Sequence, residues 1–176
     1  MTHEKWTVDQ AHSEIGFSVK HMMISKVKGS FASYEAQVEA DENNLENALI
    51  DFKIDVTSID TNNEDRDNHL RSADFFDAEQ HPHITFNATD IRKKDDDEYE
   101  LEGDLTIKGI TRPAKFEAEY GGKATNPWGV EVVAYNVNGK INRKDFGLTW
   151  NQALETGGVL VGEDIKLNLE IQANPA

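Results

Sequence analysis

The chain has 176 residues, 38% of them hydrophobic and 29% charged, which suits one domain (residues 1–176) with a sizeable core. Asp and Glu number 33 against 18 Lys and Arg, a net charge of −15 that speaks against nucleic-acid binding and against charge-driven docking on an anionic membrane. Cysteine is absent, so disulfides, thiolate metal sites and cysteine nucleophiles are excluded.

The opening MTHEKWTVDQ is polar and lacks the apolar core of a secretory signal. No stretch reaches the roughly 20 apolar residues of a spanning helix. The expectation is a cytoplasmic protein with no stable membrane insertion.

From here a period of two dominates. Ile15, Phe17, Val19 and His21 alternate with Glu14, Gly16, Ser18 and Lys20. Ile50, Phe52, Ile54 and Val56 alternate with Asp51, Lys53, Asp55 and Thr57. The segment TNNEDRDNHLRS, 61–72, breaks the pattern and predicts a short helix lying across one end of the fold. Asn62 suits its N-cap, and Glu64 and Asp65 fall in its first turn. Asp67 and Arg71 are spaced for an i,i+4 pair worth about 0.2–0.5 kcal/mol.

Alternation resumes at Ile84, Phe86 and Ala88, and an acidic hairpin tip follows at 93–98. Tyr99, Leu101, Gly103, Leu105 and Ile107 form the next run; Ala114, Phe116, Ala118 and Tyr120 form the one after. Gly-Gly and Asn-Pro in 121–129 are turn signals. Val133, Tyr135, Val137 and Ile141 follow, with Asn138-Gly139 read as a bend within one long strand rather than a hairpin turn. Ile165, Leu167, Leu169 and Ile171 close the series. Strands with one apolar and one wet face belong to antiparallel sheets, and about eight of them predict an all-β barrel or sandwich.

Catalytic signatures are missing: the sequence holds no G-x-G-x-x-G, no P-loop, no G-x-S-x-G and no H-E-x-x-H. Of the six histidines, His81 and His83 flank Pro82, while His12, His21 and His69 lie far apart. No spacing assembles three or four ligands, so neither a metal nor another cofactor is expected. The phenylalanines are more informative. Phe17, Phe31, Phe52, Phe86, Phe116 and Phe146 all sit on or near the strand runs. Each taken alone reads as core. An eight-stranded barrel, however, is just wide enough either to be filled by its side chains or to hold one small ligand, and the sequence leaves both open.

Several blocks, in order and covering nearly the whole chain, resemble the YceI-like family. They are WTVDQAHSEIGFSVKHM at 6–22, VKGSF at 27–31, RDNHLRSADFFDAEQHPHITF at 66–86, LEGDLTIKGITRP at 101–113, NRKDFGL at 142–148 and VGEDIKLNLEIQA at 161–173. The resemblance implies an antiparallel lipocalin-like β-barrel with a short helical insertion. It implies a long amphiphilic isoprenoid or related lipid as partner, held by a carrier or sequestering protein in stress response, and it makes a homodimer conceivable. It further implies that HLRSADFF forms a corner, with Leu70, Phe75 and Phe76 packed inward and Arg66, Asp67 and Arg71 satisfying local polar groups. Many members carry a secretion signal; the polar opening here predicts none.

If the barrel is hollow, polarity selects Phe17, Val19, Phe52, Ile54, Phe86, Leu101, Leu105, Phe116, Tyr120, Tyr135, Leu167 and Leu169 as ligand-lining candidates. Two rivals stand beside a lipid carrier. One is an enzyme acting on a hydrophobic substrate with His12 or His21 as acid–base. The other is a filled barrel whose acidic surface binds a protein.

Overall fold

The computed structural model describes residues 4–22, 24–41, 44–151 and 161–175. Among them, eleven strands make one antiparallel sheet: β1 (Glu4–Val8), β2 (Glu14–His21), β3 (Ser25–Phe31), β4 (Tyr34–Asp41), β5 (Asn44–Asp55), β6 (Ile59–Asp60), β7 (His83–Lys93), β8 (Glu98–Ile107), β9 (Ile110–Thr125), β10 (Glu131–Asn142) and β11 (Val161–Pro175). The single α-helix of these residues, α1, spans Glu64–Arg71. None of their helices is long and apolar enough to cross a membrane.

The alternation read from the sequence becomes two faces of a pleat. In β8, Tyr99, Leu101, Gly103, Leu105 and Ile107 are buried while the residues between them are not. The sheet must then curl to hide one face. It runs β1-β4-β5-β7-β8-β9-β10-β11, and β11 returns to β1 through Val8↔Ala173. The remaining strands continue others end to end. β1 and β2 both pair with β11, at Val8↔Ala173 and Glu14↔Glu170, with a 3-10 turn at Gln10–His12 between them. Likewise β4 continues β3 past Ala32 and Ser33, and β6 continues β5 past a 3-10 turn at Val56–Ser58. Three broken staves and five unbroken ones make an eight-stranded up-and-down barrel, closed through β11 and β1.

Successive connections alternate between its ends. The helix end carries the β2–β3 tip, the 61–82 connection, the β8–β9 turn and the chain that follows β10. The opposite end carries the β4–β5, β7–β8 and β9–β10 connections, the start of β1 and the end of β11.

Two glycine readings resolve differently. Gly121-Gly122 is not a turn: it lies inside β9, at a bulge where the register shifts opposite Ala134 and Tyr135, with Gly122 at φ +122°. The turn follows at 126–130, where the Asn126 carboxamide oxygen accepts from the Trp128 and Val130 N–H groups at 3.0 Å each. Asn138-Gly139, by contrast, sits within one long β10 whose register is unbroken there.

The helix is capped one residue later than expected. Asn63 accepts from the Arg66 N–H at 3.0 Å, while Asn62 takes a left-handed φ of +61°. Nor does Asp67 pair with Arg71. Asp67 is buried at 7% exposure and accepts from the Thr61 N–H at 2.9 Å and the Thr61 hydroxyl at 2.5 Å. Arg66 donates to Thr61 Oγ1 and O, at 2.8 and 2.7 Å. Arg71 donates to the Thr57 and Ile59 carbonyls, both at 3.1 Å. These bonds pin the 61–76 segment to the ends of β5 and β6, and Leu70, Phe75 and Phe76 turn toward the barrel interior.

Asp67→Ala would leave the Thr61 N–H and hydroxyl buried without an acceptor. The expected loss is about 2–3 kcal/mol, seen as a fall in melting temperature of roughly 4–10 °C. Asp67→Asn, which keeps one acceptor oxygen, should lose less.

Candidate functional site

The barrel is hollow because its large aromatic rings lie along the wall. Three inward-facing glycines make this possible. A Cβ on Gly29 would meet the Phe17 ring at 2.5 Å, one on Gly103 would meet Phe86 at 2.7 Å, and one on Gly139 would strike Phe116. Each ring therefore covers bare backbone rather than pointing at the barrel axis, a pairing that also protects the glycine from water. Phe86 and Phe116 then meet edge to face at 5.1 Å.

The space left is a cavity of about 220 Å³. One water needs only about 10–15 Å³ of such space, so this is far more than a packing void. Its wall is almost wholly apolar, and a cavity of that character stays dry and accepts hydrocarbon. Leu70, Phe75 and Phe76 close over it at the helix end, and Trp6, Ala40 and Leu45 line it toward the opposite end. The indole N–H of Trp6 donates to the Ala40 carbonyl at 3.3 Å, so this ring presents its apolar face to the space.

Eleven of the twelve polarity-selected residues lie on this wall: Phe17, Val19, Phe52, Ile54, Phe86, Leu101, Leu105, Phe116, Tyr135, Leu167 and Leu169. Tyr120 does not. It is half-buried beside the β9 bulge, its ring 5.4 Å from that of Tyr135, which takes the wall position. Burial pushes the Tyr135 phenol well above its ordinary pKa, with Tyr99 and Tyr120 adding to the shift, so it stays neutral.

Asp41 and Arg143 are the only charged residues among the described residues of the wall. Arg143 was invisible to polarity reading. It is 2% exposed, at the helix end, and its guanidinium donates to four carbonyls: Gly162 at 2.7 Å, Leu148 at 2.5 Å, Trp150 at 2.9 Å and Val161 at 3.3 Å. Burial pulls its pKa below the ordinary arginine value, opposed by the nearby Glu163 carboxylate. The block NRKDFGL marks the position without giving its role. Trp6 was also missed, although Trp6 and Val8 continue the period of two.

No histidine stands among the described wall residues. His12 is outside, with Nδ1 2.8 Å from Asp9 Oδ2, and His21 ends β2. His83 lies 3.2 Å from Asp55, and His81 packs beside Gly109. His69 stands edge-on to Trp150 at 4.6 Å and to Phe75 at 5.0 Å, bonded to Asp74 at 3.0 Å. Among the described residues no three His, Asp or Glu side chains converge as metal ligands.

The YceI-like domain family matches residues 6–173, the full circuit of the barrel. The chain belongs to the YceI-like family. A UPF0312 protein of Staphylococcus epidermidis is 45% identical over 163 residues, covering 92% of each chain. The crystal structure of the Campylobacter jejuni YceI protein is 38% identical, covers 97% of each chain and superposes with a TM-score of 0.76. A polyisoprenoid binding domain from Saccharophagus degradans is 11% identical and shares the fold, with a TM-score of 0.69 over 99% of this chain and 100% of that one. The interior of this YceI-like barrel is an apolar bore with Arg143 and Asp41 on its wall.

Proposed function

We propose that the chain binds a long amphiphilic isoprenoid or a related lipid inside its barrel, as a non-enzymatic carrier or sequestering protein. The observation that carries this reading is the apolar cavity, about 220 Å³ and walled by Phe, Leu, Ile and Val. Each CH₂ moved from water into such a wall contributes about 0.8 kcal/mol. A branched hydrocarbon tail gains this along its length, whereas a polar substrate would find few partners. The fold shared with the Saccharophagus degradans polyisoprenoid binding domain supports the same ligand class.

Contact with the tail is assigned to Phe17, Val19, Phe52, Ile54, Phe86, Leu101, Leu105, Phe116, Tyr135, Leu167 and Leu169. A histidine acid–base on the substrate finds no support, since neither His12 nor His21 lines the cavity. A filled barrel recognised only from outside is disfavoured by the cavity itself.

Trp6 supplies the test, because its ring is on the wall, while Trp128 is 83% exposed and Trp150, packed behind Phe75 at 5.3 Å, is off the wall. A brominated polyprenol should quench Trp6 fluorescence saturably at one ligand per chain, and Trp6→Phe should remove most of that quenching. Absence of quenching, together with absence of co-eluting lipid, would overturn the reading.

A further inference from the structure

The net charge of −15 is an average, and the surface does not share it evenly. At the helix end the β2–β3 tip carries two apolar side chains into solvent: Met22 is 45% exposed and Ile24 is 88% exposed. Met22 also holds a φ of +55°, a left-handed conformation that long side chains seldom adopt. Exposed Lys20 and Lys26 face each other across the strands just below this tip. One row further on, Lys28 pairs with Ser18, Ser18 with Lys166, and Lys166 with Lys140.

Like charges set opposite one another weaken a sheet, and here two such pairs adjoin. Lys140 is relieved by Asp164 at 3.5 Å, and Lys144 by Glu163 at 2.8 Å. Lys20, Lys26, Lys28 and Lys166 have no ion-pair partner among the described residues. The acidic tip of the β7–β8 hairpin, Asp95 to Glu98, lies at the opposite end of the barrel. At about 0.1 M salt, charges more than about 10 Å away are largely screened, so that tip does not cancel the cluster. Nearer carboxylates stand at this end, Asp60 opposite Ser30 and Glu64, Asp65, Asp74 and Glu79 in the 61–82 connection, but among the described residues none forms an ion pair with these four lysines.

We propose that the β2–β3 tip and the lysine flank beneath it are a docking surface for an anionic phospholipid bilayer. Met22 and Ile24 enter the interfacial region while Lys20, Lys26, Lys28 and Lys166 meet the lipid phosphates. Exposed apolar side chains flanked by basic ones bind membrane interfaces in this way, without spanning them. The surface adjoins the cavity: Val19 and Val161 line it, and Val161 pairs with His21 at the base of the tip. This rests on the carrier reading and deepens it, since a bilayer is where a water-insoluble tail would be collected or returned.

The test is co-sedimentation of the full chain with phosphatidylcholine vesicles, with and without phosphatidylglycerol. Binding is expected only with phosphatidylglycerol and should fall as salt is raised. Each lysine near such a surface is worth a factor of about five in affinity, so Lys20→Glu, Lys26→Glu and Lys28→Glu combined should weaken binding at least about tenfold. Ile24→Asp should weaken it as well, and Trp128→Asp, at the other end, should not. These side chains are exposed, so circular dichroism should show all variants folded. Equal binding to both vesicle types, or a lysine variant that binds as well as the parent, would overturn the proposal. Uptake of brominated polyprenol from an ethanol dispersion separates the two readings. If uptake persists without vesicle binding, docking alone fails; if uptake itself is absent, the carrier reading fails.

Discussion

Replacing Arg143 with Met should lower the melting temperature by roughly 10 °C, a loss of about 3–5 kcal/mol, although methionine fills similar space. The four carbonyls that the guanidinium gathers belong to two stretches of chain, Leu148 and Trp150 on one side and Val161 and Gly162 on the other. An apolar side chain takes this donor from the Leu148, Trp150 and Gly162 carbonyls, while Val161 keeps the Asn151 amide at 2.7 Å, and an unpaired buried carbonyl carries its full desolvation cost. Arg143→Lys should recover only part of the loss. A single ammonium cannot reproduce the fixed fork that spans both stretches. Because Leu148 lies on the cavity wall, the Met variant should also hold lipid less tightly. Thermal denaturation followed by circular dichroism measures the first effect and polyprenol titration the second. An unchanged melting temperature would show that the two stretches hold together without Arg143.

The second large effect concerns the glycines beneath the rings. Gly139→Val should cut polyprenol affinity at least about tenfold, because the new side chain occupies the place of the Phe116 ring and drives it toward the barrel axis. Overpacking of this kind also costs about 1–3 kcal/mol of stability, so lost binding alone would not separate a blocked cavity from a damaged fold. Combining Gly139→Val with Phe116→Ala does separate them. The double variant removes the displaced ring and should bind better than Gly139→Val alone. Gly103→Ala should be harsher on folding, since its Cβ would strike the Asn87 carbonyl, a backbone atom that cannot swing aside.

The sequence made the inner faces legible because the pleat enforces a period of two, and one buried face then sorts side chains by polarity. That is why Leu101 and Leu105 on β8, or Leu167 and Leu169 on β11, could be assigned to the interior before the barrel was seen. Polarity does not reveal which residue lies opposite which. Gly29 under Phe17 and Gly139 under Phe116 are cross-strand relations, and they decide whether the interior is filled or hollow. The Asp67 error has the same origin. Spacing offered Arg71 as partner, but burial selected Thr61, whose N–H and hydroxyl had no other outlet. Arg143 was hidden because a charged residue reads as surface unless its carbonyl partners are known. A sum over the chain likewise conceals that Lys20, Lys26, Lys28 and Lys166 neighbour one another across β2, β3 and β11.

The central claim is that the barrel encloses a lipid tail, and the most direct measurement is native mass spectrometry of protein purified from its host without detergent. The account predicts a population one lipid heavier than the bare chain, and an adduct that organic extraction releases as an isoprenoid or similar amphiphile. A bare chain alone, unchanged after incubation with polyprenol, would contradict it.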